Sequence, residues 1–304
     1  MQETQQPSRL KLIAAFAAVY LIWGSTYLAI RYAIATIPPF LMAAIRFLIA
    51  GSLLCLWARA AGLTQRKEES WAAALLVGFL LFMVGNGGVV VAEQWVPSGL
   101  VALLVSTTPV WFALFDWFAG GKRPTAAVVI GIAIGFCGVA LLVDFAEIRS
   151  EATVDAKGAA ILLLASISWS AGSIYARRVR ISPSPIMVSG MQMLSGSFFL
   201  AGASVITGEV RTFDVTGISL SSGLSFLYLT VFGSIVAFTS YSWLVKATTP
   251  SRLATYAYVN PAVAVFMGWA LADEPITLRT LLAMALILIA VMVIQSRLQR
   301  KSRN

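Results

Sequence analysis

The 304-residue sequence contains no histidine at all. That absence removes His-based nucleophilic catalysis, histidine metal triads and histidine proton relays from consideration. Charge is also scarce, at 12% of residues, about half the roughly 25% share of soluble domains. Cysteine is nearly absent. Cys55 and Cys137 both lie inside apolar runs, with no paired spacing, and read as small apolar packing residues rather than as metal ligands or a disulfide framework. The loops carry no nucleotide motif and no cluster of acids, so a membrane enzyme such as a lipid-modifying transferase has no catalytic loop to work with. No metal or cofactor is expected.

What fills the chain is apolar sequence, 59% of the residues. Runs near or above the roughly 18 to 20 residues that cross a hydrocarbon core recur almost without pause. They predict an all-α membrane protein with ten spans, at 12–34, 39–59, 71–92, 97–119, 124–144, 157–178, 185–206, 218–243, 252–272 and 278–297. The first run is too long for a signal-peptide core, although Ala33-Ile34-Ala35 formally resembles a cleavage site.

The formal charge of +9 follows topology rather than a nucleic-acid partner. Most of the 22 basic residues fall in alternate loops: Arg59, Arg66 and Lys67; Lys122 and Arg123; Arg177, Arg178 and Arg180; and the carboxyl-terminal Arg297, Arg300, Lys301 and Arg303. By the positive-inside rule these loops, and both termini, are cytoplasmic.

The two halves of the sequence match at one offset. Trp23-Gly24-Ser25 lies over Trp169-Ser170-Ala171, Arg31 over Arg177, Pro39 over Pro185 and Arg46 over Gln192; a slightly larger offset lays Pro97-Ser98 over Pro250-Ser251, Pro109 over Pro261 and Thr125 over Thr277. Five spans separate the copies, so the second half (146–304) would enter the membrane upside down relative to the first (1–145), with 145–156 as a linker. Such inverted repeats suit alternating access around a midplane site, whereas a receptor or scaffold is the alternative that leaves the intramembrane polar residues without a task.

Those polar residues are the site candidates. Arg46 lies within the second span, where it serves either as a helix clamp or ion-pair member or as a substrate contact; Gln192 is its neutral counterpart. Asn86 and Glu93 share a face of the third span, and Glu93 can pair with Arg46 or take a proton or a cationic group. Asp116 reads as an interfacial anchor. Tyr20, Trp23 and Tyr27 form a stripe on the first span, echoed by Trp169 on the sixth, with Ser234, Phe238 and Tyr241 on the eighth and Tyr256 and Asn260 on the ninth. Pro109 and Pro261 fall at matching places in spans four and nine and are expected to act as kinks or hinges.

Taken together, Ile22-Trp23-Gly24-Ser25-Thr26-Tyr27, Pro38-Pro39, Ala44-Ile45-Arg46-Phe47, Val84-Gly85-Asn86-Gly87, Val96-Pro97-Ser98-Gly99, Ser166-Ile167-Ser168-Trp169 and Tyr256-Ala257-Tyr258-Val259-Asn260-Pro261 resemble the EamA family of the drug/metabolite transporter superfamily, in its YedA-like bacterial inner-membrane branch. The resemblance implies a ten-helix exporter of a small metabolite or drug, with two inverted five-helix repeats around a central cavity. Carried over by position, the cavity candidates are Trp23, Tyr27, Asn86, Trp169, Tyr241, Tyr256 and Asn260. The implied partners are a small-molecule substrate and the bilayer, with a monomer compatible. One departure stands out. The family's Gly-Glu-x-x-Thr is approximated by Asp273-Glu274-Pro275-Ile276-Thr277, but its first copy reads Gly121-Lys122-Arg123-Pro124-Thr125.

Overall fold

The computed structural model describes residues 9–63, 70–118, 125–144, 154–248 and 255–301. The expected linker acids Glu147 and Glu151, and the basic loop residues Arg66, Lys67, Lys122 and Arg123, lie outside these residues. Among the described residues the regular structure is helical apart from a two-residue parallel bridge that joins Val143–Asp144 to Val154–Asp155.

Six helices are long and apolar enough to cross a membrane and four shorter apolar helices accompany them. In chain order they are α1 (Arg9–Ala33), α2 (Pro39–Ala60), α3 (Trp71–Ala92), α4 in two pieces (Ser98–Val105 and Thr108–Phe118), α5 (Ala126–Leu142), α6 (Ala156–Arg178), α7 (Pro185–Ile206), α8 (Leu220–Tyr228, continuing through Leu229–Ala237 and Phe238–Ala247), α9 (Tyr256–Ala272) and α10 (Leu278–Lys301). The exterior is apolar, with Leu48, Leu53 and Leu56 of α2, Phe198 and Val205 of α7 and Phe266 and Trp269 of α9 exposed, while Ser166, Ser170, Ser189, Ser195 and Gln192 are buried. This inside-out distribution is what a lipid solvent selects. Cys55 is buried as expected, but Cys137 is exposed, because its turn of α5 presents Gly135 and Gly138 to α10 and leaves the cysteine facing outward.

The helix ends follow from local chemistry. Proline opens α2 and α7 at Pro39 and Pro185, where its missing N–H costs nothing and its ring pre-sets φ. Ser184 and Ser219 cap α7 and α8, accepting from the amides of Met187 at 3.3 Å and Ser222 at 3.1 Å. Gly62 and Gly208 end α2 and α7 with φ of 64° and 81°, a left-handed geometry that costs other residues strain.

Helix pairing is reciprocal. α2 packs on α7 and α5 on α10; α3 packs on α6 as α1 does on α8, and α4 on α6 as α1 does on α9. The α2–α7 contact is a close one. A Cβ on Gly190 would sit 2.6 Å from Cys55 Sγ and 3.0 Å from the Gly51 carbonyl, and one on Gly51 would sit 2.9 Å from both the Gly190 carbonyl and the Leu194 amide. Backbone meets backbone there, as small-residue packing in membranes allows. Gly190→Val is therefore expected to cost more than ~3 kcal/mol through overpacking, read as loss of a monodisperse, cooperatively melting protein in detergent. Gly202 lies on the same helix with nothing within 4 Å of an added Cβ, so Gly202→Val should melt like the parent.

α4 is not the continuous rod expected over 97–119. It breaks at Ser106 and Thr107, and three consecutive hydroxyls take up the released carbonyls: Ser106 donates to Leu103, Thr107 to Leu104 and Thr108 to Val105, at 2.6 to 2.7 Å. Pro109 thus sits in the first turn of a new helix, where no hydrogen bond is lost, whereas Pro261 lies inside α9.

The start of α4 is held by Glu274. Its Oε1 accepts from the Ser98 amide and hydroxyl, both at 2.8 Å, and its Oε2 accepts from the Gly99 amide at 3.0 Å. Arg31, at the end of α1, pairs with Oε1 at 2.5 Å. The carboxylate arrives there because Asp273 adopts φ 51° and turns the chain back, so that the Glu274 amide donates to the Gly268 carbonyl at 3.1 Å. Thr277, the last residue of the same motif, caps α10 by accepting from the Thr280 amide at 3.1 Å.

Candidate functional site

Among the described residues, three helices contain π-helical stretches: Ala18–Ile22 in α1, Phe79–Asn86 in α3 and Leu229–Ala237 in α8. A widened turn loosens carbonyls from the usual ladder, and in an apolar interior these need donors. Side chains of other helices supply them. Ser168 of α6 donates to the Leu80 carbonyl at 2.8 Å, and Trp23 Nε1 donates to the Gly233 carbonyl at 3.2 Å. The Asn260 amide, with its nitrogen facing the carbonyls, donates to Tyr20 and Tyr256, each at 3.2 Å. A hydroxyl pair between Tyr20 and Thr255 adds a second tie from α1 to α9.

The widened turns of α3 and α8, with Trp23 just after that of α1, line a cavity of about 110 Å³. One water needs on the order of 10–15 Å³ of such space, so a small solute fits. Its lining includes Trp23, Tyr27, Arg46, Asn86, Trp169, Tyr256 and Asn260, seven of the residues singled out from the sequence. Val105 and Thr108, on either side of the α4 break, also line it.

One wall is aromatic. Trp23 lies 5.0 Å from Tyr241, 5.7 Å from Tyr256 and 6.2 Å from both Trp169 and Phe238, ring centre to ring centre. Tyr241 is thus a backing member of this wall; it is not itself on the lining. Edge-to-face pairs such as Trp23 with Trp169, at 87°, favour one ring arrangement over others.

Another part of the lining is polar. Arg46 is 4% exposed, donates from Nε to Ser234 Oγ at 2.8 Å and lies over the Phe47 ring at 4.7 Å. Ser234 in turn donates to the Leu229 carbonyl five residues back, at 3.2 Å, the span of a π turn. A Cβ on Gly233 would come within 3.0 Å of Arg46 Nη2, so the guanidinium uses the gap that this glycine leaves. Arg46 Nη1 and Asn86 Oδ1 are buried without hydrogen-bond partners.

Besides Tyr241, two of the sequence candidates stay behind the lining. Gln192, matched to Arg46 by the sequence offset, is buried off the lining, with its backbone carbonyl against Gly78 of α3, and its neighbour Met193 reaches the cavity instead. Glu93 is 4% exposed, two turns beyond Asn86. It forms no ion pair with Arg46; neither carboxylate oxygen makes a well-formed hydrogen bond, and the group faces the Arg31 amide. Ser234 and Phe238, offered by the sequence on the eighth span, do reach the lining, whereas sequence reading overlooked Gly233 and Thr108. The run Ser106-Thr107-Thr108-Pro109 was the available signal for the last.

Comparison with other proteins agrees with this architecture. A solved crystal structure superposes with a TM-score of 0.67 at 22% identity, over 94% of this chain and 98% of that one, a likeness of fold. The chain is 39% identical over 286 residues to the "Uncharacterized inner membrane transporter YedA" of Escherichia coli, across 94% of this chain and 90% of that protein. It is 26% identical over 290 residues to the "Uncharacterized transporter YvbV" of Bacillus subtilis, across 95% and 92%. The EamA-like transporter family matches twice, at residues 10–144 and 156–296, and with most of its length so covered this chain belongs to that family of membrane transporters.

Proposed function

We propose that the protein is a secondary transporter of ten spans, built as two oppositely inserted five-helix halves (1–145 and 146–304), which exports a small organic solute across the bacterial cytoplasmic membrane by alternating access. The observation that carries this reading is the cavity: both halves line it, Trp23, Asn86 and Thr108 from one and Trp169, Ser234 and Asn260 from the other. A site shared by two halves opens to either side when they change places. The twofold family match and the reciprocal helix pairing support the repeat, and an odd number of spans per half makes it inverted. The basic loops support cytoplasmic termini. Export is the direction that the family resemblance carries. In this reading Trp23, Tyr27, Arg46, Asn86, Trp169, Tyr256 and Asn260 contact the solute, Tyr241 backs them, Glu93 and Gln192 support the walls, and Pro109 and Pro261 mark where α4 and α9 bend.

Metabolite profiling of the medium tests this directly. Bacteria producing the protein should enrich at least one small organic compound outside the cell, and a Trp169→Ala, Asn260→Ala double variant, produced to the same membrane level, should lose most of that enrichment. Equal enrichment by the two proteins would remove these residues from the solute site. No enrichment by either would count against export.

A further inference from the structure

We infer that the cavity takes a small organic carboxylate with an apolar body and a hydroxyl donor, anchored by Arg46; this rests on the reading of the cavity as the solute site. Arg46 is the one charged residue among those described on the lining. Its placement is over-determined on three sides, by Ser234 on Nε, by the Phe47 ring beneath the cation and by the Gly233 gap beside Nη2. Nη1 is fully buried without an acceptor. A buried guanidinium N–H in that state costs free energy until an acceptor arrives, and the planar fork suits a carboxylate better than a spherical anion.

The remaining lining narrows the class. Asn86 Oδ1 is a buried acceptor without a donor, so the solute should bring one. Trp23, Trp169, Phe238 and Tyr256 offer an apolar aromatic surface for its body. No carboxylate belongs to the described lining, since Glu93 lies behind it, so a hydroxyl suits the acceptor better than an ammonium that would find no countercharge.

Titration of tryptophan fluorescence in detergent, with Trp23 and Trp169 as reporters, tests the assignment with four probes: 3-phenyllactate, 3-phenylpropionate, 3-phenylpropane-1,2-diol and phenylalanine. Phenyllactate should bind tightest, with phenylpropionate a few-fold weaker and the diol on the order of ten- to a hundredfold weaker, the range for a hydrogen bond to a charged group. Phenylalanine should fall below phenyllactate. Arg46→Gln should bring phenyllactate down to the level of the diol. Ser234→Ala, a milder change that frees the guanidinium, should narrow the gap between them, and it keeps the test decisive if Arg46→Gln does not fold. Equal binding of diol and acid by the parent, unchanged selectivity in the variants, or no binding of either carboxylate would overturn the inference. Flux in proteoliposomes separates it from the transport reading: acid-selective binding without flux keeps the anchor and sinks transport, and flux of uncharged solutes without acid selectivity does the reverse.

Discussion

Glu274→Ala should lower stability by about 3 kcal/mol or more, seen as a lower melting temperature in detergent. The carboxylate satisfies two amides and a hydroxyl at the start of α4, all buried with it, and hydrogen bonds to charged groups are each worth roughly 1.5–3 kcal/mol. Glutamine does not rescue the site, because both oxygens are occupied by donors: an amide nitrogen in either position would face an N–H of Ser98 or Gly99. Glu274→Gln should thus resemble Glu274→Ala. The Arg31 pair contributes less, since the Arg31 side chain is 40% exposed and solvent screens it. Arg31→Met should cost less than ~1 kcal/mol. Were Arg31→Met as damaging as Glu274→Ala, the ion pair and not the helix cap would be what holds α1, α4 and the α9–α10 turn together.

Trp23→Ala should reduce solute flux by more than about tenfold while leaving the protein in the membrane. The indole touches four other rings and donates to the Gly233 carbonyl in the widened turn of α8, so its removal empties the aromatic wall and orphans that carbonyl together. Trp23→Phe separates the two effects. It keeps most of the ring packing and loses only the donor, so flux should fall by a few-fold if packing dominates. Measured per unit of folded protein in proteoliposomes, parent-like flux from Trp23→Ala would remove this residue from the solute path. Parent-like flux from Trp23→Phe would show that the bond to Gly233 is dispensable.

Much of this architecture is visible in the sequence because lipid imposes simple rules on it. Apolar runs announce the helices, and Pro39 and Pro185 announce the starts of α2 and α7. Gly62 and Gly208, standing at the same offset from one another, mark where those helices end, a correspondence that a search for aromatic and charged matches passes over. The aromatic wall was legible for a related reason: Trp23 and Trp169 correspond between the halves and lie well inside their spans. The widened turns were not legible. Inserting one residue into a helical turn leaves no period to detect, and Ser234 acquires its position against Arg46 only through that insertion. Gln192 shows the limit of matching positions between repeats, because a shared sequence offset does not by itself bring both side chains to the cavity. Glu274 was readable as part of a motif, but its partners Ser98 and Gly99 are distant in sequence and only the folded chain brings them together.

The seam between α2 and α7 restricts how the molecule can change shape. Side chains can slide past one another by changing rotamers, but Gly51 and Gly190 put main chain against main chain with no such slack. These two helices are therefore expected to travel together as one rigid beam, to which Gly78 ties α3 in the same way, against the Gln192 carbonyl and the Gly196 amide. Any rearrangement that exposes the cavity first to one face and then to the other has to be hinged elsewhere, in elements that hang from that beam.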